Sequence, residues 1–443
     1  MAPACFMQST TNTDHSAPLG DSRLSAAVAA ACADYSNRNL RSREAVATAS
    51  LYLPGGNTRT SLWQNPFPLC MVRGAGSRLT DADGHEYVDF LGEFTAGIYG
   101  HSPQVIKDAI REALEEGLNL SSHNYRESQL AALICARFCS MKLVRFTNSG
   151  TEANLMALVA AKRVTGRRKT LVFEGAYHGS VLTFLPGDST ARNTDEFLCG
   201  QYNDPEGCRV LIEQHREDLA AILVEPMLGA GGCIPGTPEF LRLLRRVADE
   251  TGAVLIFDEI QTSRLSVGGR QALLGIAPDL TTLGKFFGGG LAFGCFGGRR
   301  DIMEIFDPRR SNAVPHAGTF NNNTLTMAAA TAAVSRLLTA DALDALNARG
   351  ERLRESMLGV FRTADAPFTV TGLGSLMNIH PVAPRNVAED LRKLLFFELA
   401  SAGIYIAARG LIALSLAITD DEIACLLRAL ERFLTKYKSL LVS

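Results

Sequence analysis

The sequence predicts an α/β protein: a large domain with a mainly parallel sheet flanked by helices, and a smaller α+β domain beside it. Three observations lead there. Short apolar strands and helical patterns alternate from about residue 100, the texture of a parallel sheet covered on both faces. Residues before and after that region follow other patterns. The 443-residue length is enough for two domains and a large core.

Residues 1–20 are polar, Ser/Thr-rich and without an apolar stretch, so a disordered tail is expected there and no secretory signal. Residues 21–99 begin with a helix in which Leu24, Val28 and Cys32 recur at four-residue spacing, ended by the breaker cluster Leu53-Pro54-Gly55-Gly56-Asn57. A small antiparallel meander follows over 70–73, 78–81 and 87–90, with a two-residue Asp83-Gly84 turn. In the large domain, 100–321, helices are expected over 103–118, 125–139, 151–166, 206–218 and 237–251. The strands between and after them are 143–146, 169–173, 221–224, 254–257 and 291–296. Residues 322–443 open with a long helix, Thr324 to Thr339, and close with an amphipathic helix, Asp420 to Tyr437.

Composition narrows the function. Apolar residues make up 47% and charged residues 20% of the chain, an ordinary globular balance. A net charge of −2 gives no electrostatic case for nucleic acid or an anionic membrane. No apolar run approaches the ~20 residues of a membrane-spanning helix. The ten cysteines form no framework. Cys135 and Cys139, four apart on one expected helical face, read as small core residues because no second pair follows, so no metal site is expected. Free thiols fit a reducing, cytoplasmic compartment.

Chemistry is concentrated where the strands end, the edge at which open α/β sheets bind ligands. The run Val254–Phe257 delivers Asp258, and 27 residues later Lys285 stands in a glycine-rich turn. A lysine amine able to form a Schiff base, with an acid for a pyridinium nitrogen, suits pyridoxal phosphate. Ser149-Gly150-Thr151, opening a helix after the 143–146 strand, can cradle a phosphate with its hydroxyls and N–H groups, or can be a plain N-cap. Tyr177, followed by His178 and Gly179, offers a ring that can stack on a flat heteroaromatic group. Glu225 ends the 221–224 strand. His101, His123 and His316 lie near turns and are read as structural.

The ordered set Asn148-Ser149-Gly150-Thr151-Glu152-Ala153, Tyr177-His178-Gly179, Glu225-Pro226, Asp258-Glu259, Leu283-Gly284-Lys285 and Gly318-Thr319-Phe320 resembles the class III aminotransferases of the fold-type-I pyridoxal-phosphate enzymes. The resemblance runs from about residue 45. It implies that Ser149, Gly150, Thr151, Tyr177, His178, Glu225, Asp258, Lys285 and Thr319 bind pyridoxal 5′-phosphate. It also implies a homodimer with active sites at the subunit interface, where Thr319 reaches the partner's cofactor.

Two branches share these motifs: aminotransferases acting on β-amino acids such as β-phenylalanine, and glutamate-1-semialdehyde 2,1-aminomutases. Arg59, in Pro54-Gly55-Gly56-Asn57-Thr58-Arg59, is similar to the first branch. Arg409 falls where the aminomutases have no arginine. Guanidinium forks suit carboxylates, so Arg59 and Arg409 are the expected substrate residues. The expectation is an aminotransferase working on small-molecule amino and keto acids. Arg264, in a segment also similar to the first branch, is open between an ion-pair partner and a residue at the pocket rim.

Overall fold

The computed structural model describes residues 22–185 and 196–441. The expected tail, 1–20, lies outside them. Seven strands form the main sheet: β1 (Leu143–Thr147), β2 (Lys169–Phe173), β3 (Phe197–Gly200), β4 (Leu219–Val224), β5 (Val254–Asp258), β6 (Leu280–Gly284) and β7 (Gly294–Gly298). Their spatial order is β1-β7-β6-β5-β4-β2-β3. Only β7 runs against its neighbours; the pairs among β2 to β6 are parallel.

Alternation along the strands explains the two helical layers. Ala221 and Leu223 of β4, with Val254 and Ile256 of β5, pack against Ala153, Ala157, Leu158 and Ala161 of the helix Gly150–Thr165. Ile222, Val224, Leu255 and Phe257 face the opposite way, onto Phe240, Leu241, Leu244 and Val247 of the helix Pro238–Thr251. That second helix has sequence-encoded ends. The Thr237 hydroxyl accepts from the Phe240 N–H, Pro238 occupies the first turn, and Gly252 closes it in the left-handed conformation.

The sequence reading missed two strands, β3 and β6. Each is only four or five residues long, and β6 leads straight into the Lys285 turn. The strand expected over 291–296 begins at Gly294, because Gly289 and Gly290 (φ 63° and 94°) keep the chain turning before it. The first helix is two, Ser22–Arg38 and Leu40–Ala49, broken where buried Asn39 turns its side-chain amide onto the Tyr35 carbonyl at 2.7 Å. The turn at Asp83-Gly84 is not a two-residue hairpin. Residues 82–85 connect the strands Arg78–Asp81 and Glu86–Asp89, held by Asp81 Oδ1, which accepts from the N–H groups of Asp83 and His85.

The helix expected to reach Thr339 ends at Arg336, and Thr339 caps a further helix, Ala340–Thr363. Cys139 lies past the end of the helix Tyr125–Arg137 and is exposed, and Cys135 is only half-buried, so the two are not core residues. The closing helix, Asp420–Lys436, starts on a capping box between Thr419 and Glu422. Strand Ile404–Tyr405 pairs in parallel with Glu86–Asp89, joining the C-terminal part to the N-terminal meander. Among the described residues, no helix is long and apolar enough to cross a membrane.

Candidate active site

The sheet brings the strand-end residues to one edge. Asp258, last in β5, is buried and opposite Thr282 of β6. Its Oδ2 accepts from Asn154 Nδ2 and from His178 Nδ1, both at 2.8 Å, while Oδ1 accepts from the Ile260 N–H at 3.1 Å. Thr282 Oγ1 donates to Asn154 Oδ1 at 2.7 Å, which fixes the amide's orientation. Nδ1 of His178 donates to Asp258, and its buried Nε2 has no hydrogen-bond partner among the described residues. Glu225 receives the N–H groups of Tyr177 at 2.9 Å and Gly229 at 3.1 Å. Burial pushes its carboxyl up to about 7.

Ser149 caps the helix Gly150–Thr165, its hydroxyl accepting from the Glu152 N–H at 3.2 Å. The plain capping geometry is therefore present. It leaves the Ser149 O–H and the first-turn N–H groups of Gly150 and Thr151 available, since first-turn donors have no intrahelical acceptor. Gly179 (φ 127°) lets the chain pass Thr151; a Cβ there would come within 2.1 Å of Thr151 Oγ1. Tyr177 is 38% exposed at this edge.

Lys285 follows β6 directly, with a left-handed backbone (φ 51°). Its Nζ donates to the Phe94 carbonyl at 2.7 Å and to Thr95 Oγ1 at 3.0 Å. These acceptors lie on a turn that carries no recognisable sequence signal. Gly92, Glu93, Phe94 and Thr95 all have positive φ (54°, 49°, 51° and 80°), a left-handed run that costs each non-glycine residue roughly 1–2 kcal/mol. Asp89 Oδ1 pins its start through the N–H groups of Leu91 and Gly92, and the Gly97 N–H closes it onto the Gly92 carbonyl.

The same turn gathers both candidate arginines. The guanidinium of Arg59 lies 5.8 Å and that of Arg409 5.4 Å from the Phe94 ring centroid. Arg59 also pairs with Glu93 at 2.6 Å, and Arg409 Nε is buried without a hydrogen-bond partner among the described residues. Burial, and then the charge of Arg409, lower Lys285 from 10.5 to about 8.

Thr319 is not part of this cluster. It is exposed, on a loop whose Asn321 accepts from Asn148 Nδ2 at 2.9 Å. Arg264 is neither an ion-pair partner nor a rim residue. It is fully buried, donating to Ser375 Oγ and the Leu414 carbonyl, with no carboxylate paired to it among the described residues. His101 bonds Asp89, His316 packs on Phe296 and Phe306, and His123 is exposed.

The family model for class III aminotransferases matches residues 60–434. The chain belongs to the class III aminotransferase family. It is thus a fold-type-I, pyridoxal-phosphate-dependent aminotransferase. The β-phenylalanine transaminase of Variovorax paradoxus is 48% identical over 94% of this chain and 97% of its own length. A solved structure of a β-phenylalanine aminotransferase from that organism superposes with a TM-score of 0.92 at 47% identity, covering 95% of this chain and 99% of the other. A glutamate-1-semialdehyde 2,1-aminomutase of Brevibacillus brevis is 35% identical, over 86% and 95% of the two chains.

The residues of this aminotransferase fit its cofactor. Asp258 Oδ1 takes one protein donor and has a lone pair left for a pyridinium N–H. His178 Nε2 is an unsatisfied polar atom in the same enclosure, and the helix start at Gly150 is suited to a phosphate.

The lowered Lys285 value makes a prediction. Attack on an aldehyde needs the neutral amine, so the rate at which apoprotein takes up pyridoxal phosphate should rise with pH around a midpoint near 8 rather than above 10. Arg409→Gln removes a cation that disfavours protonated Lys285, so the midpoint should move up. Visible absorbance recorded across a pH series checks both.

Proposed function

We propose that this aminotransferase moves the amino group of a β-amino acid to an α-keto acid such as 2-oxoglutarate. The observation carrying this reading is the Phe94 ring shared by Arg59 and Arg409, on the turn whose carbonyl holds Lys285 Nζ. That arrangement offers two carboxylate forks beside one amine.

Lys285 would tether the cofactor, Asp258 would pair with its pyridinium N–H, Tyr177 would offer a ring to stack on it, and His178 would act through its hydrogen bond to Asp258. Ser149, Gly150 and Thr151 would hold the phosphate. Glu225 fixes the Tyr177 backbone. Bound pyridoxal phosphate supplies an electron sink for the carbon that carries the amine. Lys285 Nζ, released from the Phe94 carbonyl, carries the proton from that carbon. Its lowered basicity leaves a usable neutral fraction near pH 8. Arg59 and Arg409 hold the carboxylates of donor and acceptor in turn, giving a ping-pong cycle that releases a β-keto acid.

We read the protein as a cytoplasmic homodimer; no disulfide joins any of the nine described cysteines. The exposed loop with Thr319 and Phe320, the latter 58% exposed, suits a subunit contact that delivers Thr319 to the partner's phosphate. Residues 100–321 form the cofactor domain, and 21–99 with 322–443 the smaller one, a division supported by the pairing of Ile404–Tyr405 with Glu86–Asp89.

Incubation with β-phenylalanine and 2-oxoglutarate should yield glutamate in step with loss of the donor. Absence of glutamate across a panel of β-amino acids overturns the reading. The aminomutase alternative predicts instead an isomerised product that forms without any keto acid.

A further inference from the structure

Glu93 has no role in the chemistry above, yet its placement is unusual. It is the first non-glycine residue of the left-handed run, and its carboxylate sits 2.6 Å from Arg59 Nη1. The backbone beneath it is strained and over-determined, so the direction of the side chain is set by the fold. Arg59 is restrained from its own side: its N–H donates to Asn57 Oδ1 at 3.0 Å, and its guanidinium lies over Phe94. Both side chains are about half-exposed (46% and 56%) and line one cavity of about 360 Å³ together with Phe94. A pair this open to water is weak and exchangeable.

We propose that Glu93 is a resident carboxylate on Arg59, one that a substrate carboxylate must displace to bind there. Glu93 then sets the affinity of the Arg59 subsite for carboxylates. The proposal rests on the reading of Arg59 as a substrate-carboxylate residue. With no substrate bound, Glu93 neutralises one of the three cations gathered on the turn (Arg59, Arg409 and Lys285). When a carboxylate arrives, the guanidinium exchanges one anion for another, and the displaced Glu93 remains nearby as a like charge that weakens the new contact. A ligand without a carboxylate leaves the pair intact.

The test uses the holoenzyme and two unreactive ligands, 3-phenylpropanoate and its neutral isostere 3-phenylpropanamide, with dissociation constants from calorimetry. Glu93→Gln should bind the propanoate about fivefold more tightly, the scale of losing a competing surface ion pair, and the amide unchanged. The KM for a β-amino acid should fall by a similar factor. In an Arg59→Gln background the Glu93→Gln effect should vanish. Glu93→Asn, a residue more tolerant of left-handed backbone, should reproduce the tightening and guards against a folding artefact. Weaker or unchanged propanoate binding by both variants overturns the proposal, as does equal tightening for the amide or tightening that persists without Arg59. Should Arg59→Gln alone bind the propanoate like the wild type, the Arg59 subsite itself is wrong, and Glu93 falls with it.

Discussion

Lys285→Ala is expected to abolish the visible absorbance band of the cofactor joined to the protein and to lower turnover about 10⁴-fold or more, because one change removes both the covalent tether and the proton carrier. The fold should survive. Among the described residues, Lys285 Nζ makes hydrogen bonds only to the Phe94 carbonyl and Thr95 Oγ1. Far-ultraviolet circular dichroism and thermal denaturation check that the loss is chemical. A variant that keeps the band would place the tether at another lysine.

Asp258→Asn should cost about 10²-fold in kcat while leaving the band in place, since Lys285 is untouched; the loss is on the scale of one buried charge-assisted hydrogen bond. The arithmetic follows from the site. Asp258 Oδ2 already receives Asn154 and His178, and Oδ1 receives Ile260. An amide in that place has one oxygen fewer to accept with, and no charge to keep a ring nitrogen protonated. Steady-state kinetics, with absorbance as the control for cofactor content, distinguish this from a general loss of binding. Equal kcat in the two proteins would remove Asp258 from the ring nitrogen.

The fold and the site were unevenly legible in the sequence. Asp258, Lys285, Glu225, Tyr177 and Ser149 each follow an apolar strand, and parallel strands deliver their ends to a common edge. Their convergence therefore needed only strand recognition. Even the unrecognised strand β6 did not conceal Lys285, because the glycine run behind it marked the turn. The turn Gly92–Thr95 was different. Glu, Phe and Thr rarely take left-handed backbone, and the Asp89 carboxylate and Gly97 amide that hold them there make short-range turn hydrogen bonds, which an aspartate or glycine in any loop can offer. Asn154 was equally hidden: it sits inside a helix, and only the register of Asp258 against Thr282 gives it a task. Arg264 shows the reverse case. Its sequence setting left it open between an ion pair and the pocket rim, but the chain buries it against Ser375 Oγ and the Leu414 carbonyl.

The central claim is that the amino group leaves one molecule and arrives on another. A β-amino acid labelled with ¹⁵N at its amine, incubated with the holoenzyme and unlabelled 2-oxoglutarate, tests it most directly by mass spectrometry. The label should appear in glutamate, one equivalent for each β-keto acid released, and without the acceptor no more than one equivalent of label per active site should leave the donor. Label that stays on the donor's own carbon skeleton at a new position, formed without 2-oxoglutarate, would contradict the account and show an aminomutase.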